Sequence, residues 1–366
     1  MNYTPNISNN ILHNNAEVLL WNDPHNLISF DAYYKTAYYL NTVLKPLLFI
    51  VAMPTGVLSC VIFKRQGLGD RMNLCLFVQV FIDLIFVCYS MVFSLAFWVR
   101  ILEPIIGEEL HVKMQYALSI NYGLREASAC ISVLIAVERC VCVVFPLRAN
   151  TLMSTRSMGF LLVAIVITMQ LAFVTTPVKK YVYSVYDEAT GGSRWVVAPS
   201  AAWQTSATLM LYDKVEDTLM MIVFPLITFL LVSGATVITV VKLKAAISWR
   251  EKISCSINTN VQSHQVALTK MLVIVSFVFI VSKLPWVAFT LARIFWPDFL
   301  PSGSQSNIYK VSELMAHYFY YVHSSIDFFI YYARSSRFRS HLQALFTCSH
   351  KPAGIREMTK NTIINT

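Results

Sequence analysis

From residue 40 to residue 333 the chain alternates long apolar runs with short polar ones. The apolar runs are Leu40–Phe63, Met72–Val99, Met114–Val143, Ser157–Pro177, Thr218–Val241, Thr269–Phe295 and Val311–Ala333. Each meets or passes the ~20 residues that a helix needs to cross a bilayer. Lipid offers no partner to an open backbone, so such runs settle as a helix bundle. The pattern predicts an all-α membrane protein, a seven-transmembrane helix bundle. The seventh run is the most polar, which leaves six or eight spans as alternatives. After it, Phe338, Leu342, Leu345 and Phe346 fall at i, i+4, i+7 and i+8 in an otherwise basic stretch. That spacing predicts a short amphipathic helix on the membrane surface. No internal repeat and no linker divides the chain. One domain, 40–348, is expected between a polar head, 1–39, and a tail, 349–366.

Composition agrees: 56% of the residues are hydrophobic and only 13% are charged, which excludes a soluble globular protein. The few charges are unevenly placed. With the N-terminus outside, the internal loops and tail carry 15 Lys and Arg against 3 Asp and Glu, and the external segments carry 8 against 12. This obeys the positive-inside rule, so an extracellular N-terminus and a cytoplasmic C-terminus are expected at the plasma membrane. The +9 net charge thus reports topology rather than nucleic-acid binding. The only Asn-x-Ser/Thr sequons, at Asn2 and Asn6, lie in the head, where glycosylation requires the outside. The head has no basic segment followed by an apolar one, so no cleaved signal peptide is expected and the first span serves as its own insertion signal.

Two charges interrupt "SVLIAVERCVCVVFPL" at the inner end of the third span: Glu138 and Arg139, with Pro146 seven residues after the Arg. An intramembrane charge is costly, less so where it can snorkel to water, and the plain reading is a helix-end anchor. Seven spans, this acid-Arg pair and the following "VVFPL" together resemble the rhodopsin-like G-protein-coupled receptors, over about residues 40–348. The resemblance implies that Glu138 holds Arg139 at rest and that the freed Arg139 meets a heterotrimeric G protein. It also gives Asp83, in "VFIDLIFV", the place of a sodium-binding aspartate, with Ser128, Ser324 and Asp327 around it; the alternative is an internal polar network to which Lys283 supplies the positive charge. "SSIDFFIYY" is similar to the family's Asn-Pro-x-x-Tyr, with Asp327 and Phe328 substituted and Tyr331 kept. Pro225 and Pro285 occupy its kink positions in spans five and six, and Cys348 follows the amphipathic helix as a palmitoylation candidate. More narrowly, "FKRQGLGDRMNLCLF", "AVERCVCVVFPL" and "DFFIYYARSSRFR" resemble invertebrate, particularly molluscan, chemosensory receptors.

The departures are specific. Met114 stands where the family's third span has a disulfide cysteine, and 178–217 contains no cysteine at all, so no structural disulfide is expected. All eight cysteines fall in spans or on the cytoplasmic side. Ser233 replaces a switch tyrosine, and no Asp or Glu lies in 261–270 to latch Arg139 from span six.

Ligand chemistry has to be read from the remaining intramembrane charges: Asp83, Arg125, Glu126, Lys283 and Asp327. Arg125 lies 14 residues, about 21 Å, above Arg139 on one helix and on a similar face. By the alignment, Lys283 faces it across the lower pocket. Two cations there suit a carboxylate or another anion, with Arg offering a bidentate fork. The competing reading is internal neutralisation by Glu126, Asp83 and Asp327. Glu126 projects about 100° from Arg125, and Asp83 and Asp327 reach Lys283 more readily, so Arg125 is the expected ligand contact. Asn121 stands where amine receptors carry an aspartate, which disfavours a monoamine. His323 reads as a packed, hydrogen-bonding residue.

Other function classes fit less well. A neuropeptide receptor is the runner-up, since the second external loop is acidic. A secondary transporter lacks its paired repeats. A membrane enzyme lacks a nucleophile or metal motif, no H-E-x-x-H or G-x-S-x-G being present, and no cofactor is expected. The expected partners are an extracellular ligand, a G protein and membrane lipid.

Overall fold

The computed structural model of the chain describes residues 26–347 apart from 103–117, 147, 150–152, 174–178, 188–191, 254–258 and 302. Asn2, Asn6, Met114, Cys255 and Cys348 lie outside the described residues. Seven long helices follow in order: α1 Phe30–Gln66, α2 Arg71–Leu102, α3 Leu118–Val144, α4 Thr155–Ala172, α5 Ala207–Ile253, α6 Thr259–Phe295 and α7 Ser306–Arg334. The amphipathic segment folds as α8, Ser336–Thr347. Its Phe338 and Leu342 turn inward, and Phe338 packs on Phe63 and Tyr331. Among the described residues, α1 to α6 are long and apolar enough to cross a membrane. α7 is long enough at 29 residues, but Glu313, His317, His323 and Asp327 lower its apolarity.

The bundle is apolar on its outer faces and, outside a buried polar cluster, through much of its interior. Ile62, Leu76, Ile131, Met158 and Leu272 are buried, while Ile50, Phe160 and Leu230 are exposed on outer faces. In a water-soluble helix the outer stripe is polar; here it is matched to lipid.

α1 begins ten residues before the apolar run that announced it, so 30–39 belongs to the first helix rather than to the head. Ser29 caps it by accepting from the Ala32 amide at 3.2 Å. The incoming strand of chain is stapled to the start of α7: Gln305 Oε1 accepts from the Leu27 amide, and Asn307 Nδ2 donates to the Ile28 carbonyl. Hydropathy misses this because a helix end outside lipid may be polar. At the other end Gly67, at φ 96°, closes α1 in a conformation that side chains resist.

Two helices contain a π turn, Leu40–Leu44 in α1 and Thr218–Val223 in α5. In both cases the α-helix that resumes has proline as its second residue, Pro46 and Pro225. A proline has no N–H to donate and its ring crowds the carbonyl four residues back; one extra residue in the preceding turn relieves the clash. Pro285 is accommodated inside α6.

Between α4 and α5 the chain forms something the apolar pattern did not announce: an antiparallel hairpin of β1 Lys180–Asp187 and β2 Gly192–Pro199, in register from Lys180↔Pro199 to Asp187↔Gly192. At its foot Lys179 Nζ pairs with Asp213 at 2.5 Å and Glu216 at 2.7 Å, both on the outer end of α5. Burial opposes the charge of Lys179, but the two carboxylates outweigh it and hold the ammonium above its ordinary range. A raised lysine contributes below its unfolded value and fails only as pH climbs past the folded one, so the tether is intact through neutrality.

Candidate ligand and coupling sites

The outer polar cluster is built from one turn of α3 against α6 and α7. Arg125 is 1% exposed and Glu126 0%. The guanidinium donates from Nε to Glu126 Oε1 at 2.7 Å, and Nη2 lies 2.7 Å from the same oxygen, off the hydrogen-bond axis. Nη1 meets His317 Nδ1 at 3.0 Å; arginine can only donate, so the imidazole nitrogen accepts. Aromatic rings enclose the cation: Trp286 at 4.4 Å, Tyr122 at 5.1 Å and Tyr320 at 5.3 Å from its central carbon. From α6, Lys283 brings Nζ to 3.7 Å from Glu126 Oε2 and 4.4 Å from the Tyr320 ring centre, with no hydrogen bond.

This corrects the expectation that Glu126 cannot serve Arg125. The two α-carbons do diverge on the helix, yet both side chains are long enough to fold back and meet. Asp83 and Asp327 do not reach Lys283 in an ion pair; Glu126 alone among the described residues neutralises both cations. Asn121, a turn above, is buried and accepts from Ser90 Oγ at 3.1 Å, tying α3 to α2.

One layer inward, Ser128 Oγ donates to Asp83 Oδ1 at 2.5 Å. Asp83, Ser324 and Asp327 line one narrow crevice between α1, α2 and α7. Ser324 bonds back to the Tyr320 carbonyl. Asp327 has no hydrogen bond on either oxygen, and His323 Nδ1 stands 3.7 Å from Oδ1. His323 is buried edge-on to Phe279 without a hydrogen bond at either nitrogen, contrary to the expected bonded histidine.

At the C-terminal end of α3 Glu138, 0% exposed, pairs with Arg139 and with an arginine that the sequence motifs did not single out: Arg71 Nε lies 2.7 Å from Glu138 Oε1. Arg71 also donates to the carbonyls of Ala149 and Met153, fastening the loop between α3 and α4 to α2. No local signal in the sequence links the pair: Arg71 and Glu138 are 67 positions apart. Pro146 is exposed in the turn after α3. Tyr331 is buried edge-on to Phe63 with ring centres 5.2 Å apart.

No curated protein matches the chain. A family model does, over residues 81–349 and so over most of the bundle: the serpentine type 7TM GPCR chemoreceptor Srw. A bundle of this architecture, polar at its core and matched by that model over well beyond half its length, belongs to the Srw family of serpentine seven-transmembrane G-protein-coupled chemoreceptors.

Proposed function

We propose that the chain is a plasma-membrane receptor, N-terminus outside, that binds a small anionic chemosensory ligand between α3, α6 and α7 and activates a heterotrimeric G protein through Arg139. The observation that carries this is the charge balance of the outer cluster: two buried cations, Arg125 and Lys283, share one carboxylate, Glu126. An uncompensated buried charge is expensive, and an incoming carboxylate supplies the missing partner. The link from Lys283 to Glu126 is long and unaligned, so a ligand acid competes for Lys283 and alters the coupling of α6 to α3 at little cost. At the inner end, Glu138 already has a second arginine, so Arg139 can leave without stranding a buried carboxylate. The rhodopsin-like resemblance is part of this reading, with Asp83, Ser128, Ser324 and Asp327 as a sodium pocket or an internal polar network.

The test compares an acidic agonist with its uncharged amide on wild type, Arg125→Gln and Lys283→Gln, reading nucleotide exchange at matched surface levels. A hydrogen bond to charge is worth roughly 1.5–3 kcal/mol, so each substitution should weaken the acid by about that much and barely affect the amide. Equal losses for both compounds would make the cluster purely structural. Arg139→Ala, in the same assay, is expected to abolish exchange at unchanged surface expression; undiminished exchange would remove Arg139 from coupling.

A further inference from the structure

A third buried cation stands apart from the cluster just described. Lys45, 8% exposed, follows directly on the π turn of α1. Its ammonium donates to Asn41 Oδ1 at 2.7 Å and lies 5.4 Å and 5.8 Å from the ring centres of Tyr321 and Tyr318 on α7. Asn41 is itself immobilised: its Nδ2 donates to the Ala37 carbonyl, its own carbonyl accepts from Ser94 Oγ, and Tyr318 OH reaches the same Oδ1 at 3.4 Å. Among the described residues no carboxylate stands within ion-pair distance of Lys45. An ammonium has three donors, and Asn41 uses one. A lysine inside a membrane bundle without an acid is a functional position by default.

Position relative to α7 gives this cation its meaning. Lys45 faces Tyr321, while Arg125 faces His317, one turn earlier on the same face of α7, about 6 Å along the helix. Lys283 lies against Tyr320 of the same helix. Three cations thus line one stretch of α7; Glu126 pairs with two of them, and Glu313 of α7 comes no nearer than 4.0 Å to His317.

We infer that Lys45 is a second anion-binding position, and that the ligand carries two acidic groups, one at Arg125 and Lys283 and the other at Lys45. This rests on the anionic-ligand reading above and narrows it to a short dianion such as an aliphatic dicarboxylate. Asn41 and Lys45, four residues apart, share the inward face of α1, where Asn41 holds the ammonium against the tyrosines.

The probes are glutarate, its half-amide glutaramate and valerate, tested for nucleotide exchange in cells and for thermal stabilisation of the purified full-length receptor. Glutarate is expected to act at concentrations at least tenfold below glutaramate and valerate. Lys45→Gln should erase that advantage while leaving the two monoacids unchanged, and Lys45→Arg should keep it. Equal potency of diacid and monoacids on wild type, or equal weakening of all three by Lys45→Gln, overturns the second position while leaving the anionic reading standing. If uncharged analogues match the acids, both fall. Should Lys45→Gln not reach the surface, stabilisation of wild type decides: no greater effect of glutarate than of glutaramate overturns the inference.

Discussion

At the level of single residues the hardest position to anticipate was Glu126. Sequence spacing locates α-carbons on a helical wheel, and on that wheel neighbours point apart. It does not describe where a flexible arginine or glutamate tip ends, and here the tips meet within 2.7 Å. Glu138 beside Arg139 was legible because the motif is contiguous. Arg71, which completes that pair, was not, since only the fold brings 71 to 138. Removing one member of a buried ion cluster typically costs about 3–5 kcal/mol, because the remaining charge is stranded. Glu126→Gln should therefore lower the apparent melting temperature of the detergent-solubilised receptor more than Arg125→Gln does, since it strands two cations rather than one carboxylate that Lys283 still serves. The double variant Glu126→Gln with Lys283→Met should recover part of the loss. A Glu126→Gln protein as stable as wild type would mean that the cluster carries no net interaction.

Among the secondary-structure elements, the apolar runs located every membrane helix but misplaced their ends. Phe30–Tyr39 escaped notice because its helix is specified by the Ser29 cap and by the staple to α7 rather than by hydropathy. The hairpin escaped because its alternating tyrosines and valines, as in "KYVYSVYD", are strand formers set within an acidic loop where no apolar run was sought. The π turns were invisible for a different reason: proline signals a kink, and only the packing shows whether it bends the axis or inserts a residue. Val43, exposed in the first π turn, is the residue to remove. Its deletion restores α-helical register and rotates everything before it by about 100°, so the contacts of Gln305 with Leu27 and of Asn307 with Ile28 cannot both survive. At about 1 kcal/mol per lost hydrogen bond, a lower melting temperature is expected, and substituting Val43→Ala instead should have little effect. An unchanged melting temperature in the deletion would show that the outer turns of α1 are held by neither bond.

For the molecule as a whole, the fold was readable from its apolar runs because a bilayer permits so few alternatives, whereas the ligand pocket depended on side-chain reach across three helices. No cysteine lies in the segments read as external, so on the proposed topology the outer surface is organised without covalent cross-links. The hairpin is joined to α5 through Lys179, Asp213 and Glu216, and Arg293 of α6 reaches Asp217 of the same helix at 2.7 Å. These pairs stand in partial contact with solvent, and such attractions are screened over ~8 Å at physiological ionic strength and over ~3 Å at 1 M. On that reading the mouth of the receptor responds to the ionic composition of the surrounding fluid and not to its redox state. A membrane-impermeant reductant should leave agonist response unaltered, whereas raising external salt, or replacing Lys179 by Met, should accelerate both ligand entry and ligand escape. Dissociation rates that respond to reductant but not to salt would point to a covalent strap instead. In kinetic terms, a loosened hairpin shortens the dwell time of each bound molecule, trading persistence of the signal for a faster reset between encounters.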